Sequence, residues 1–311
     1  MARLNISLPA DLYEATKKWR GARNLSQICA QALAEELDAA ETARAGEGLA
    51  TILQPESRTE QALRAEFGLA EASVVDAGSG QEELRDALGR RGAEYLNRWL
   101  CDGSLLAIAG GRQMWGVVRH LSPRSVRVTI TAVGVEQNDP RVLHVHPNTL
   151  TTLLWLLYSP GAAARLVAAI PPGSLWFGAL PPASRPSYFV LASCGPFSEA
   201  SPFASLIGAD ATAALLRRRA AGDFNYVFFD QRGKILELAP DWPLPGGLRY
   251  SSVLPAALLR GLSARPDARV ILVAGGSDKL PAISNALRHR LCNVLITDGA
   301  SAAELLERKA P

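Results

Sequence analysis

Apolar and polar residues alternate strictly at the start of the chain. Between residues 2 and 8 every second side chain is apolar, and the polar positions between them are Arg3, Asn5 and Ser7. A period of two is typical of a β-strand with one buried face. Pro9 ends this pattern, and apolar residues then recur at helical spacing up to Trp19 and again from Ser26, a favourable N-cap residue. The pattern predicts one strand followed by two short helices.

This opening segment is too small to form a stable unit as a single copy. One strand leaves its backbone groups unpaired, and two short helices cannot bury all the apolar faces. A twofold dimer solves both problems, because the two strands pair into a ribbon that four helices support. Such a ribbon fits the DNA major groove, where its outward side chains reach the bases. The alternative is a helical dimerisation arm whose polar strand residues face only water.

Residues 1–40 resemble the ribbon-helix-helix repressor family. The resemblance rests on the strand from Arg3 to Leu8, on Pro9 at its end, and on Asn24-Leu25-Ser26 at the start of the second helix. It implies that three side chains read DNA bases, namely Arg3, Asn5 and Ser7. It also implies that backbone N–H groups at a helix N-terminus hold a DNA phosphate, those of Leu25, Ser26 and Gln27. Residues 1–30 carry five basic and two acidic side chains, which suits a surface that faces DNA.

A different pattern begins near residue 63, after a segment (43–62) of weak periodicity that we interpret as a linker. Strand-length apolar runs alternate there with amphipathic helical stretches. The expected strands are 72–75, 105–109, 126–133, 175–179, 188–192, 226–229, 270–274 and 294–297. The expected helices are 82–100, 150–157, 209–221 and 280–290. Because several strands are almost wholly apolar, we expect a parallel sheet covered on both faces. The sequence thus predicts a DNA-binding segment (1–42) and an α/β, Rossmann-like, doubly wound domain (63–311).

Two glycine-rich loops follow strands of this domain. Gly110-Gly111-Arg112-Gln113 comes after one apolar run, and Gly275-Gly276-Ser277-Asp278-Lys279 comes after another. Paired glycines let backbone N–H groups approach an anion closely, and a following helix N-terminus favours negative charge. Arg112 and Lys279 add positive charge. Each loop alone is equally well explained as an ordinary turn, but two such loops in one sheet favour a phosphate-binding site.

Residues 63–311 resemble the effector-binding domain of SorC-type sugar-sensing regulators. The matching stretches are Leu63–Leu69, Leu88-Gly89-Arg90, Gly111-Arg112, Ala221-Gly222-Asp223 with Phe229-Asp230, Val273–Lys279, and Asn293–Asp298. The resemblance implies a sensor of phosphorylated sugars, with a fold related to that of sugar-phosphate isomerases. It implies that Gly111 and Arg112 belong to the first ligand loop and that Gly275, Gly276 and Lys279 hold phosphate. It also implies that Asp223 and Asp298 contact sugar hydroxyls or form the pocket wall.

The chain departs from the SorC pattern at three places. Gln113, which we include among the effector-binding candidates, replaces a threonine, and Gly134–Asp139 replaces a glycine-rich loop. The third departure is larger, because such regulators normally carry a helix-turn-helix where this chain shows the ribbon-helix-helix pattern. The first two departures leave the identity of the ligand open.

The bulk composition excludes several classes of protein. With 48% apolar and 20% charged residues, 311 residues can bury a sizeable core, and a net charge of +3 requires any DNA binding to come from a local patch. Four widely spaced cysteines suit neither a disulfide framework nor a metal site, so we expect reduced thiols. No signal-peptide pattern is visible, and the most apolar run, Leu153–Tyr158, is far shorter than the ~20 residues of a membrane span. We expect a cytoplasmic protein without membrane segments.

The candidate chemistry favours binding over catalysis. Ser193 and Cys194 have no evident histidine partner, and His144 and His146 have no third metal ligand nearby. We therefore expect no enzyme activity, no metal and no cofactor. The prediction is a homodimeric or homotetrameric transcriptional regulator whose affinity for a double-stranded DNA operator is controlled by a phosphorylated small molecule. The alternatives are an isomerase- or deaminase-like enzyme, with Glu136 as its best acid or base, and a regulator whose degenerate pocket serves only assembly.

Overall fold

The computed structural model describes residues 56–78, 80–134, 140–165, 186–201, 204, 209–236 and 253–307. The predicted ribbon-helix-helix segment lies outside these ranges. So do its six candidate DNA-binding residues, the expected strand 175–179 and the candidate acid or base Glu136. All the described residues belong to one unit, Glu56–Pro311.

Ten strands form two sheets. They are β1 Glu71–Val75, β2 Leu105–Ala109, β3 Thr129–Val133, β4 Ala163–Arg165, β5 Tyr188–Ala192, β6 Cys194–Pro196, β7 Ala220–Phe224, β8 Val227–Asp230, β9 Ala268–Val273 and β10 Val294–Asp298. Seven of them form a sheet in the order β1-β10-β9-β5-β2-β3-β4, and every pair in it is parallel. The predicted α/β architecture with a largely parallel sheet is confirmed.

Helices cover both faces of this sheet. They are α1 Arg58–Phe67, α2 Gln81–Trp99, α3 Arg112–Val118, α4 Pro147–Tyr158, α5 Ala209–Arg217, α6 Ala256–Ser263, α7 Leu280–Arg288 and α8 Gly299–Glu307, with a 3-10 helix at Pro140–Val145. Apolar residues of α1, α6, α7 and α8 share one core cluster, whereas those of α2, α3 and α4 share another. Alternate residues of the strands enter the two clusters, as Val190 and Leu191 of β5 do. The result is the three-layer arrangement of doubly wound folds.

Helix α1 begins inside the segment that we interpreted as a linker. Ser57 caps it: the Ser57 hydroxyl accepts the Glu60 N–H, and the Glu60 carboxylate accepts the Ser57 N–H at 2.7 Å. This reciprocal pair is a capping box, which fixes the start of a helix. Leu63 of α1 is fully buried in the core. The folded unit thus includes residues 58–62, which lie within the 43–62 segment.

The small second sheet differs from the expectation. Strands β6, β7 and β8 pair antiparallel to one another and pack with α5 around Phe228. The expected helix 209–221 ends at Arg217, and residues 220–224 form β7 instead. The expected strand 226–229 corresponds to β8, which lies in this antiparallel sheet and not in the parallel one. A two-residue turn, Asn225-Tyr226, joins β7 to β8 and makes a tight hairpin.

Helices α2 and α3 cross with almost no space between them. A Cβ placed on Gly89 of α2 would lie 2.5 Å from the carbonyl oxygen of Gly116 on α3, and a Cβ on Gly92 would lie 2.8 Å from Cγ2 of Val117. Only residues without a side chain allow this approach at Gly89. The crossing positions α3, which the sequence pattern did not predict, against the first turns of α2.

No helix within the described ranges is both long and apolar enough to cross a membrane.

Candidate ligand-binding site

A cavity of about 620 Å³ opens at the carboxyl ends of the parallel strands. Its walls come from the segments Gly110–Gln113 after β2 and Gly275–Lys279 after β9, from Ser193 and strand β6, and from the β7–β8 hairpin and the start of α2. Strand β5 lies between β2 and β9 in the sheet. Because α3 and α7, which follow β2 and β9, cover opposite faces, the loops diverge and leave a crevice between them.

The structure brings seven of the eight predicted effector-binding residues to this cavity. They are Gly111, Arg112, Gln113, Asp223, Gly275, Gly276 and Lys279. The eighth, Asp298, lies at the end of β10 beneath the Gly275–Lys279 loop and is not among the lining residues. The sequence pattern therefore located the cavity, whereas the role of each residue in binding stays a prediction.

Asp298 holds the Gly275–Lys279 loop in place. Its Oδ1 accepts the Gly276 N–H at 3.1 Å and the Ser301 hydroxyl at 2.7 Å, and the Ser301 Oγ accepts the same Gly276 N–H at 3.0 Å. A Cβ on Gly275 would lie 2.6 Å from the Asp298 Oδ1, and Gly276 has a φ of 94°. Both glycines are thus required by the backbone path. Since the Gly276 N–H points inward, a ligand on this loop would meet the N–H groups of Ser277 and Asp278.

The Gly110–Gln113 loop is fixed in a similar way. The Gly111 N–H donates to the Val145 carbonyl at 2.9 Å, and Gly111 has a φ of 120°, a region that side chains disfavour. Arg112 is exposed at the start of α3, where its guanidinium is free to face the cavity. Gln113 is buried, and its side-chain amide donates to the Arg85 carbonyl at 3.2 Å. The residue that departs from the SorC pattern therefore ties α3 to α2.

Several lining residues escaped the sequence analysis. Arg85 lines the cavity from α2, and Asn225 and Tyr226 line it from the β7–β8 turn. An arginine on an amphipathic helix usually marks a solvated face, so Arg85 carried no distinguishing signal. The Asn225-Tyr226 turn lacks the glycine that normally marks a tight hairpin, so the sequence pattern predicts a strand that begins at Tyr226.

The charges around the cavity are mixed. Arg85, Arg112 and Lys279 are cationic, and Asp223 and Asp278 are acidic. Desolvation by burial raises the pKa of Asp223 to about 7, although the Tyr226 N–H, which donates to its Oδ2 at 3.1 Å, acts in the opposite direction. Near neutral pH this carboxyl is therefore partly protonated, and the cationic side chains prevail. The cavity is suited to an anion.

The thiol at the cavity is inert. Cys194 is buried, and burial raises the pKa of its thiol far above neutral pH. A thiol that keeps its proton is a poor nucleophile. No histidine lies among the described residues that line the cavity, and Ser193 donates its hydroxyl to the Gly110 carbonyl at 3.2 Å. These contacts offer no activated nucleophile.

The two histidines singled out by the sequence have structural contacts. His146 caps α4, because its Nδ1 accepts the Asn148 N–H at 3.1 Å. His144 meets the Trp115 ring edge-on, with ring centroids 6.5 Å apart. Within the described ranges, no group of three or more His, Cys, Asp or Glu side chains is placed to hold a metal ion.

The pKa of Asp223 leads to a testable pH dependence. The unfolded carboxyl loses its proton near its ordinary pKa of 3.8, but the folded one loses it only near 7. Stability contributed by the protonated form is therefore complete below pH 3.8 and is lost as the pH rises to 7. We expect the free energy of unfolding of Asp223→Asn to match that of the wild type near pH 4 and to be about 2 kcal/mol higher at pH 8. This gain is smaller than the full difference in pKa implies, because solvent screens the exposed part of the carboxyl.

Urea unfolding followed by circular dichroism from pH 4 to pH 8 measures this difference. Asp210→Asn makes the same change on the exposed first turn of α5 and should show no such gain. A gap between Asp223→Asn and the wild type that stays constant over this pH range would contradict the prediction.

The structure defines an α/β domain with a cavity at the carboxyl ends of its parallel strands, and comparison with known proteins narrows the class of protein. The Sugar-bind family of sugar-binding domains matches residues 53–153 and 259–307. The deoxyribonucleoside regulator of Bacillus subtilis (strain 168) is 26% identical over 260 residues, which cover 78% of this chain and 78% of that protein. The sorbitol operon regulator of Klebsiella pneumoniae is 35% identical over 112 residues, 35% of this chain and 33% of the relative.

Solved structures show the same fold. The full-length sorbitol operon regulator SorC of Klebsiella pneumoniae superposes with a TM-score of 0.61 and 24% identity, over 81% of this chain and 82% of that one. A transcriptional regulator from Streptococcus pneumoniae TIGR4 gives a TM-score of 0.61 with 19% identity, over 80% and 95% of the two chains. Together these similarities support a sugar-binding domain of the kind carried by SorC- and DeoR-type transcriptional regulators.

Proposed function

We propose that this protein is a DNA-binding transcriptional regulator of the cytoplasm whose affinity for its operator is controlled by a phosphorylated, sugar-like metabolite. The observation that carries the proposal is the meeting of two glycine-rich loops at one cavity. Each loop follows a parallel strand and brings a basic residue, Arg112 in one and Lys279 in the other. The relatives named above are transcriptional regulators, which supports the same function here.

The phosphate of the effector binds at the start of α7. The N–H groups of Ser277 and Asp278 have no acceptor among the described residues, and Lys279 is the residue that immediately precedes the helix. Helix α7 has nine residues, so its N-terminus adds a favourable dipole for an anion. Arg112 and Arg85 supply further positive charge. The sugar part extends toward Asp223, whose carboxyl hydrogen-bonds hydroxyl groups.

Residues 1–42 bind the operator as a dimeric ribbon. Arg3, Asn5 and Ser7 contact the bases, and the backbone around Leu25, Ser26 and Gln27 contacts phosphate. The larger domain forms the dimer or tetramer that sets the spacing between ribbons. An effector that prefers one arrangement changes the DNA affinity by its differential binding, typically ~1–3 kcal/mol.

We propose binding without turnover, because the relatives named above are regulators. General acid–base chemistry needs a titratable group placed at the reacting atoms. Among the described lining residues the acids are Asp223 and the exposed Asp278, and the raised pKa of Asp223 makes it the residue whose replacement tests the enzyme alternative. The three cationic side chains and the 620 Å³ volume also argue against a degenerate pocket.

Mutation of the predicted ribbon tests the DNA-binding half of the proposal. The operator is first found by selecting genomic fragments that the full chain retains. Arg3→Ala and Asn5→Ala should then each weaken specific binding 10- to 100-fold, since one good base contact contributes ~1–3 kcal/mol. The readout is a gel-shift or fluorescence-anisotropy titration at fixed salt concentration.

Arg260→Ala removes an exposed helical arginine from α6 and is the matched control, which should bind as the wild type does. Wild-type affinity in both Arg3→Ala and Asn5→Ala would refute the ribbon as the operator reader. Binding of the effector by the larger domain would still stand.

A further inference from the structure

The tip of the β7–β8 hairpin carries an unusual backbone. Asn225 and Tyr226 have φ values of 48° and 70°, as in the type I′ turns that favour asparagine and glycine. Tyrosine disfavours this region, so the surrounding contacts must hold it there. The Asn225 N–H donates to the Ser193 carbonyl at 2.9 Å, and the Tyr226 N–H donates to Asp223. The turn is thereby fixed over the end of β5, at the cavity wall.

Asn225 is the polar residue at this wall whose side chain lacks a partner. It is only 2% exposed and lines the cavity. Neither its amide nitrogen nor its amide oxygen has a hydrogen-bond partner within the part of the chain that the structure describes. Buried amides in native proteins are almost always paired, so an unpaired one at a cavity requires an explanation. A bound ligand supplies the missing partners.

The two residues of the turn lie over different strand ends. A Cβ on Gly134 would lie 2.6 Å from the Tyr226 hydroxyl, which places that hydroxyl at the end of β3. Three interstrand spacings of ~4.8 Å, about 14 Å, separate this strand end from that of β9, which Lys279 follows. Asn225 instead lies over β5, the direct neighbour of β9. A ligand whose phosphate binds near Lys279 can thus bring its nearby hydroxyl groups to Asn225 and extend toward Tyr226.

The groups around the turn select the chemistry of the part of the ligand that they contact. An amide both donates and accepts hydrogen bonds, as a sugar hydroxyl does, whereas a phosphate at neutral pH mainly accepts. Asp223 adjoins the turn and would repel a second phosphate whenever it is ionised. Arg85, Arg112 and Lys279 are contributed by α2 and by the loops after β2 and β9.

We infer that Asn225 is a specificity-determining residue that hydrogen-bonds hydroxyl groups of the effector, while the phosphate binds near Lys279. The site then favours polyhydroxy metabolites with one phosphate over those with a phosphate at each end. This inference rests on the proposed function, because it takes the phosphate to bind near Lys279.

Calorimetric titration of the full chain tests the inference. The probes are ribose 5-phosphate, glucose 6-phosphate and fructose 6-phosphate, with fructose 1,6-bisphosphate as the doubly charged competitor. Asn225→Gly removes the amide and keeps a residue that accepts positive φ, so the fold is retained. Asn225→Asp replaces the amide by an acceptor with negative charge. Gln231→Ala, which removes an amide from the exposed turn after β8, is the control.

We expect the wild type to bind at least one monophosphate ten times more tightly than the bisphosphate. Both Asn225 variants should bind that monophosphate at least tenfold more weakly, whereas Gln231→Ala should bind it as the wild type does. Wild-type affinity in Asn225→Gly, or a preference of the wild type for the bisphosphate, overturns the inference. If either result occurs but Lys279→Ala loses binding in the same series, the inference falls and the proposed function stands. If the wild type binds none of the four probes, the inference and the effector class both fall.

Discussion

Gly89→Ala is expected to lower the free energy of unfolding by about 3 kcal/mol or more. The new methyl group would lie 2.5 Å from the carbonyl oxygen and 2.6 Å from the carbonyl carbon of Gly116. Both atoms belong to the backbone of α3, so the clash cannot be relieved by rotating a side chain. Overpacking of a core typically costs 1–3 kcal/mol, and a backbone-to-backbone clash lies at the upper end of that range or beyond it.

The effect can be measured by urea unfolding followed by circular dichroism. Gly261→Ala is the matched control, because a Cβ at this position on α6 meets nothing within 4 Å. That change should stabilise the protein by about 0.5–1 kcal/mol, the difference in helix propensity. Equal stabilities of Gly89→Ala and Gly261→Ala would show that the two helices can separate without cost. Binding at the cavity should weaken along with stability in Gly89→Ala, because the crossing positions Arg85 and Gln113.

Lys279→Ala should lower the affinity for a phosphorylated effector 10- to 100-fold. A hydrogen bond to a charged group contributes ~1.5–3 kcal/mol, and the ammonium is the cation nearest to the N–H groups of Ser277 and Asp278 in the chain. Lys279→Arg keeps the charge and should retain part of the affinity, although its guanidinium needs more space than an ammonium. Folding should be little affected, since Lys279 makes no side-chain cap for α7.

Thermal-shift titration with sugar monophosphates, confirmed by calorimetry, gives the affinities. Lys234→Ala removes an exposed lysine from the segment after β8 and should leave ligand binding intact. If an effector binds Lys279→Ala as tightly as the wild type, its phosphate binds in another part of the cavity and the prediction is wrong. Absence of any ligand-induced shift in the wild type would favour the degenerate, purely oligomerising domain.

The parallel sheet was predictable because its strands are buried on both faces. Runs such as Leu105–Ala109 and Tyr188–Ala192 contain almost no polar residue, and this composition distinguishes them from amphipathic elements. The two loops of the cavity were predictable for a related reason. Glycines that directly follow such a run, with a basic residue beside them, indicate close contact between backbone and ligand. The positive φ angles of Gly111 and Gly276 show that the backbone requires glycine there, whereas contact with a ligand stays a prediction.

The antiparallel hairpin and α3 escaped prediction for different physical reasons. Strand β7 contains Gly222 and Asp223, which are rare in strands, so the sequence favoured an extension of the helix before it. Helix α3 has only seven residues and directly follows two glycines, Gly110 and Gly111. Its position is set by the tertiary contact between Gly89 and Gly116. Asn225 could not be found from sequence because its significance depends on the burial of its amide. The ribbon of residues 1–42 stays a prediction from its alternating pattern.

The anchoring of Gly276 by Asp298 and Ser301 has a consequence for signalling. Folding alone already arranges the Gly275–Lys279 loop, so this loop loses little conformational entropy when a phosphate binds and its donors are already in position. A loop that is ordered before binding favours affinity, but its shape changes little when a phosphate binds. Under the proposed function, the movement that reports occupancy to the DNA is expected to originate outside this loop.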